Sequence, residues 1–194
     1  MKKKHGLIII DMIHDYLDSW DVEMAEGLIQ NTNTLVASFR QRQLPIIWVR
    51  NEFKPDLSDA FLEMREKQVM VAIEGTRGAR LHSGLQWSPA DITVVKKRYS
   101  AFFGTDLDGL LAEHDVGSLV ICGINTHACV RMATIDAYQR DFPVILAEEC
   151  IGTYDDEHGR ISLRYMKDKI AKVATISEIR SLIEMAAQPP SIGF

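Results

Sequence analysis

Uninterrupted apolar runs recur along this chain, most plainly "LIII" at 7–10 and "SLVICG" at 118–123. A strand with one wet face alternates apolar and polar side chains, whereas a strand covered on both faces has no reason to. Six β-rich segments stand out, at 6–11, 45–50, 92–96, 118–123, 143–148 and 171–176. Helical patterns separate or follow them at 22–43, 105–114, 126–141, 155–169 and 177–187. In the first of these, Met24, Leu28, Leu35 and Phe39 recur at helical spacing and predict a core face. Strand and helix in alternation imply βαβ units and a parallel sheet, with right-handed crossovers carrying helices to both faces. The expected fold is an α/β class, three-layer α/β/α sandwich around a six-stranded, mostly parallel sheet. The 194 residues suit a single domain, 1–194, long enough to bury a sizeable core.

The stretch 51–91 is the least regular, with Pro55, Gly75, Gly78, Gly84, Pro89 and one short helical pattern at 57–68. It reads as a surface excursion of the kind that builds pocket walls or subunit contacts. The tail "AAQPPSIGF" reads as a frayed or docked end. A net charge of −5 gives no electrostatic reason to expect nucleic acid or an anionic membrane as partner. The N-terminal "MKKKHGLIII" sets basic residues before an apolar run, but Asp11 interrupts that run too early for a secretory core or a spanning helix. A cytoplasmic location is therefore expected. Three cysteines, at 122, 129 and 150, neither form a disulfide framework nor offer the close pairs of a structural zinc site. The six histidines (5, 14, 82, 114, 127 and 158) form no HExxH or similar pattern. No metal and no cofactor is expected.

Ligands of open parallel sheets bind at the carboxyl ends of the strands. Three reactive side chains of different types fall there: Asp11 closes the first strand, Lys96 the third, and Cys129 lies in the first turn after the fourth. Singly, each has an ordinary explanation as a turn acceptor, a solvated charge and a small buried hydrophobe. Together they suit nucleophilic chemistry. With Thr126 as N-cap, Cys129 stands in the first helical turn, where free N–H groups favour a thiolate. A nearby Lys96 adds Coulomb attraction, Asp11 can take the thiol proton, and the helix start offers N–H groups to an oxyanion. His127 is no base for Cys129, because residues two apart on a helix do not face each other. Cys122 and Cys150 read as buried fillers, Cys150 just beyond the fifth strand.

The segments "LIIIDMIHDYL", "VVKKRYSAFFGTDLDGLL" and "GINTHACVRMATIDAYQRDFPVILAEEC" together resemble the aspartate, lysine and cysteine motifs of the isochorismatase-like superfamily of cysteine hydrolases. That group includes nicotinamidases and the carbamoylsarcosine, ureidoacrylate and biuret amidohydrolases. The resemblance selects Lys96 over Lys97, by its distance from the serine of "SAF". It implies a cis peptide between Ile124 and Asn125, an oxyanion site near Asn125 and Ala128, and homo-oligomers, either dimers or tetramers. His14 and Asp15 stand where the superfamily more often has Gln-Asn or Asn-Asp. Nicotinamidases carry a metal held by an aspartate and closely spaced histidines after the second strand; here "VRNEFKPDLSDA" has no histidine.

These readings predict cysteine-dependent hydrolysis of a C–N bond in a small amide or carbamoyl compound. Two alternatives stay open: isochorismatase-type vinyl-ether hydrolysis with Asp11 and Lys96 alone, and a non-catalytic module that binds a metabolite or senses oxidants. Tyr16, Trp20, Phe102 and His127 are candidate pocket walls, and Arg50 or Arg98 a candidate partner for a substrate carboxylate.

Overall fold

A computed structural model describes residues 3–187, so all but the first two residues of the expected tail lie outside the description. Six parallel strands form one sheet in the order β3-β2-β1-β4-β5-β6. They are β1 (Lys4–Ile10), β2 (Ile46–Asn51), β3 (Ile92–Lys96), β4 (Val116–Ile124), β5 (Val144–Gly152) and β6 (Lys172–Ala174). The helices are α1 (His14–Leu17), α2 (Val22–Gln41), α3 (Leu62–Lys67), α4 (Leu107–Glu113), α5 (Arg131–Tyr138), α6 (Asp156–Met166) and α7 (Ile176–Ala187). Among the described residues, no helix is long and apolar enough to cross a membrane.

The unbroken runs mean what two-sided burial requires. In β1, Leu7 and Ile9 enter one core with Leu28, Leu35 and Phe39 of α2 and Ile179 and Ile183 of α7. Ile8 and Ile10 enter the other, with Leu107 and Leu111 of α4, Ala133 and Ala137 of α5 and Met166 of α6. Both sets are fully buried. The excursion after β2 has a small core of its own, in which Ile13, Phe53, Leu57, Ala60, Ala72 and Ile73 pack together.

Several expected boundaries move. The helix foreseen at 57–68 is shorter, and the one foreseen at 126–141 is a π-helical turn, Thr126–Val130, running into α5. β5 extends past its expected end, after a shift in its register with β4, so Cys150 lies inside the strand. Met24 leaves the predicted core face and is 54% exposed.

Strand order is what positions the site. The sheet grows from β1 toward β2 and β3 on one side and from β4 toward β5 and β6 on the other, so β1 and β4 flank the switch point where such sheets open a crevice. The two strands pass closely there. Gly123, at φ +108°, lies beneath the end of β1, and a Cβ in its place would come within 2.1 Å of the Ile10 carbonyl oxygen. Glycine alone permits that approach.

Candidate active site

Asp11 follows β1 with φ +57°, a left-handed conformation that aspartate tolerates better than most residues. Its Oδ1 accepts the Asn51 N–H at 2.9 Å. Lys96 ends β3 two strands away, and its long side chain crosses behind β2 to bring Nζ within 2.7 Å of Asp11 Oδ2. Cys129 Sγ stands 3.4 Å from the same Nζ. Asp11 is 1% exposed and Lys96 is wholly buried. A carboxylate, an ammonium and a thiol from three separate parts of the sheet edge thus touch in one buried cluster.

Lys96 Nζ is surrounded by more acceptors than it has protons: Asp11 Oδ2, Asn51 Oδ1 at 2.9 Å, the Arg98 carbonyl at 3.1 Å and Cys129 Sγ. The sulfur has the longest of these contacts. Burial alone would lower the Lys96 pKa, but the Asp11 carboxylate and the Cys129 sulfur outweigh it and hold the ammonium above its ordinary range. The thiol moves the opposite way from the sequence expectation. Burial, then the Asp11 charge, push the Cys129 pKa well above the ordinary thiol value, and Lys96 offsets only part of this. Burial therefore favours the protonated thiol.

The local helix start also differs from the sequence expectation. The N-cap is Asn125, not Thr126, whose hydroxyl instead donates to the Gly152 carbonyl at 3.0 Å. The turn is π-helical, its wide bond running from the Val130 N–H to the Asn125 carbonyl at 3.2 Å. The Ala128 N–H also donates to that carbonyl, at 3.0 Å. The Ile124–Asn125 peptide bond is cis.

Asn51 is the residue that sequence reasoning missed. Besides its backbone bond to Asp11, its side chain accepts from Lys96 and donates to the Lys96 carbonyl at 3.2 Å. The phenol of Tyr16 approaches the same Oδ1 at 3.5 Å. Burial, then the Asp11 charge, raise the pKa of that phenol far above its usual range. Its place follows from strand order, which the sequence pattern does not carry: β2 lies between β1 and β3, so the polar residue ending it meets both Asp11 and Lys96.

A cavity of about 410 Å³ opens over the cluster, lined among others by Asp11, Tyr16, Asn51, Phe61, Tyr99 and Cys129, with His127, Met132 and Tyr154 at its walls. Of the expected contacts, Tyr16 and His127 line this cavity, and Trp20 lines an adjoining one. Three others are corrected. Phe102 is packed in the core, beneath the Arg140 guanidinium at 4.6 Å. Arg50 pairs with Glu52 at 2.6 Å and donates to the Ala79 carbonyl, away from the cavity. Arg98 likewise donates to the carbonyls of Asp59 and Lys97 and lies over the Phe61 ring.

The residues after β2 do not fit a nicotinamidase-type metal site: Asn51 is committed to Asp11 and Lys96, Glu52 to Arg50, and Phe53 to the small core. A different trio, His14, Asp18 and His82, brings its ligand atoms within 4.8 Å of one another. The Arg77 guanidinium already occupies that cluster, 2.9 Å from both Asp18 Oδ2 and His14 Nδ1. The Ser83 N–H donates to His14 Nε2 at 3.2 Å, and Nδ1 faces both Asp18 and the Arg77 guanidinium. A metal would have to displace that guanidinium.

Residues 5–178 match the isochorismatase domain family. A protein of Arabidopsis thaliana named "Probable inactive nicotinamidase" is 32% identical over 89% of this chain and 93% of its own. The ureidoacrylate amidohydrolase RutB of Methylorubrum extorquens is 30% identical over 73% of this chain and 67% of its own. A crystal structure of an isochorismatase family protein from Desulfovibrio vulgaris shares the fold with a TM-score of 0.86, at 24% identity over 94% of this chain and all of that one. The chain belongs to the isochorismatase family.

Proposed function

We propose that this chain hydrolyses a C–N bond in a small amide or carbamoyl compound through a thioester on Cys129. The observation that carries the reading is the buried contact of Asp11, Lys96 and Cys129 at the floor of a cavity. The amidohydrolase name of the Methylorubrum relative supports the same bond type.

Asp11 takes the thiol proton as sulfur attacks the carbonyl carbon, the order that burial of the thiol favours. The ammonium of Lys96 steadies the sulfur while its proton leaves, before the charge passes to the carbonyl oxygen. The Ala128 N–H being committed to Asn125, the oxyanion falls to the Cys129 N–H beside the Ile124–Asn125 backbone. The C–N bond breaks as Asp11 returns its proton to the leaving nitrogen. Water then attacks the thioester, Asp11 accepts the water proton and passes it to the departing sulfur, and the acid is released.

Ammonia release across a panel of simple amides and ureides tests the reading. Cys129→Ala is expected to remove turnover by a factor of about 10⁴ or more, with Asp11→Asn nearly as damaging. Full activity in the alanine protein refutes it.

A further inference from the structure

The inner cavity does not stand alone. A second cavity of about 570 Å³ adjoins it, walled by Trp20, Met24, Val71 and Tyr154, with Asp15, Asp21 and Asp156 around it. Tyr16, Asn125 and Tyr154 line both. Tyr154 is 72% exposed and meets His127 edge-on at 5.1 Å, at the junction of the two cavities. The inner space already suits a small ligand, and the outer one would be superfluous for a bare carbamoyl group.

The charge around the mouth is one-sided. Among the described residues, no arginine or lysine lines either cavity. The nearby cations are committed elsewhere: Lys96 to Asp11, Arg50 to Glu52, Lys97 to Asp59 and the Glu52 carbonyl, and Arg98 to two backbone carbonyls. A carboxylate carried into the outer cavity would find no cation among its lining residues and would face aspartates, a like-charge contact that is disfavoured.

We infer that the outer cavity is a substrate subsite for an apolar or aromatic arm without negative charge. The substrate is then an extended amide whose far end carries no carboxylate, sulfate or phosphate. The inference rests on the amide-hydrolase reading of the inner cavity and adds the substrate class. Trp20 and Tyr154 offer ring faces to the arm, and Met24, lost from the predicted core, supplies adaptable apolar surface.

The test uses 4-phenylbutanamide, its para-carboxylate and propanamide. With the native protein, kcat/KM for the phenyl compound is expected to exceed that for either of the others by about tenfold or more. Calorimetry on the Cys129→Ala protein reads the arm preference separately from turnover, with the phenyl compound binding more tightly than its carboxylate. Met24→Lys, a change at a half-exposed position, is expected to reverse that order. Equal handling of the three amides, preference for the carboxylate, or no calorimetric binding of the phenyl compound overturns the subsite. Absence of turnover with the binding preference intact sinks the hydrolase reading and supports the subsite.

Discussion

Asp11 and Asp18 stand at the two ends of the connection from β1 through α1, and each holds a cation, Lys96 at 2.7 Å and Arg77 at 2.9 Å. As contacts they are nearly the same. Their surroundings differ: the first pair is sealed in the protein, whereas the side chains of Asp18 and Arg77 are 39% and 70% exposed. Water and salt screen the outer pair, which makes it a weak contributor to stability. The inner pair has no such screening, so removing one partner strands the other. The same burial that makes the pair costly to break raises the pKa of the Cys129 thiol beside it.

The largest contrast is expected from breaking each pair. Lys96→Met leaves the Asp11 carboxylate buried and alone, and is expected to cost about 3–5 kcal/mol in urea denaturation. Adding Asp11→Asn to it should restore part of that loss, since neither charge then remains. If Lys96→Met is as mild as a surface change, the inner pair is not what its burial implies. Asn51→Ala should come next, at about 1–3 kcal/mol, because it removes an acceptor from Lys96 and leaves buried polar groups unmatched. Its kcat is expected to fall about tenfold, the equivalent of about 1.4 kcal/mol, with KM little changed. A change in KM alone would make Asn51 a substrate contact and not a positioning residue.

The pH dependence sharpens the comparison, since the two regions act at opposite ends of the scale. Burial raises the thiol of Cys129, raises that of Cys122, and pushes that of Cys150 up to about 12. A raised folded-state value favours the protonated form, so this stability is complete below the ordinary thiol range and drains away as pH rises through it. Each such group contributes a slope of up to about 1.4 kcal/mol per pH unit there. Denaturation midpoints between pH 7 and about 10.5 should fall, and less steeply in Cys129→Ala; an unchanged slope contradicts the assignment. At Asp18 burial would raise the pKa, but the hydrogen bond and charge of His14 and the Arg77 guanidinium lower it. That contribution is present above the ordinary carboxylate range and lost as pH falls through it. The smallest effect belongs here: Asp18→Asn should change stability by less than about 1 kcal/mol and flatten only the acid limb. A larger loss would show that the outer cluster is structurally essential.

The sheet was legible because two-sided burial writes itself as unbroken apolar runs, as in β1 and β4. The meeting of Asp11, Lys96 and Cys129 was legible because parallel strands send their carboxyl ends to one edge. Asn51 was not, since its role depends on strand order, which periodicity does not carry. Nor was the raised pKa of Cys129, because it depends on how deep the sulfur lies beside the Asp11 charge. Arg50 was misread although the signal was present: Glu52, two residues on, lies on the same side of an extended chain. Met24 shows the opposite case, a helical spacing that fits the core and a side chain that lines a cavity.

The most direct test of the account is mass spectrometry of the native protein quenched during turnover of an amide. The expected result is an acyl group on the peptide carrying Cys129, absent from the Asp11→Asn protein treated the same way. Sustained turnover with Cys129 unmodified at every quench time, or an acyl group on a different residue, would contradict it.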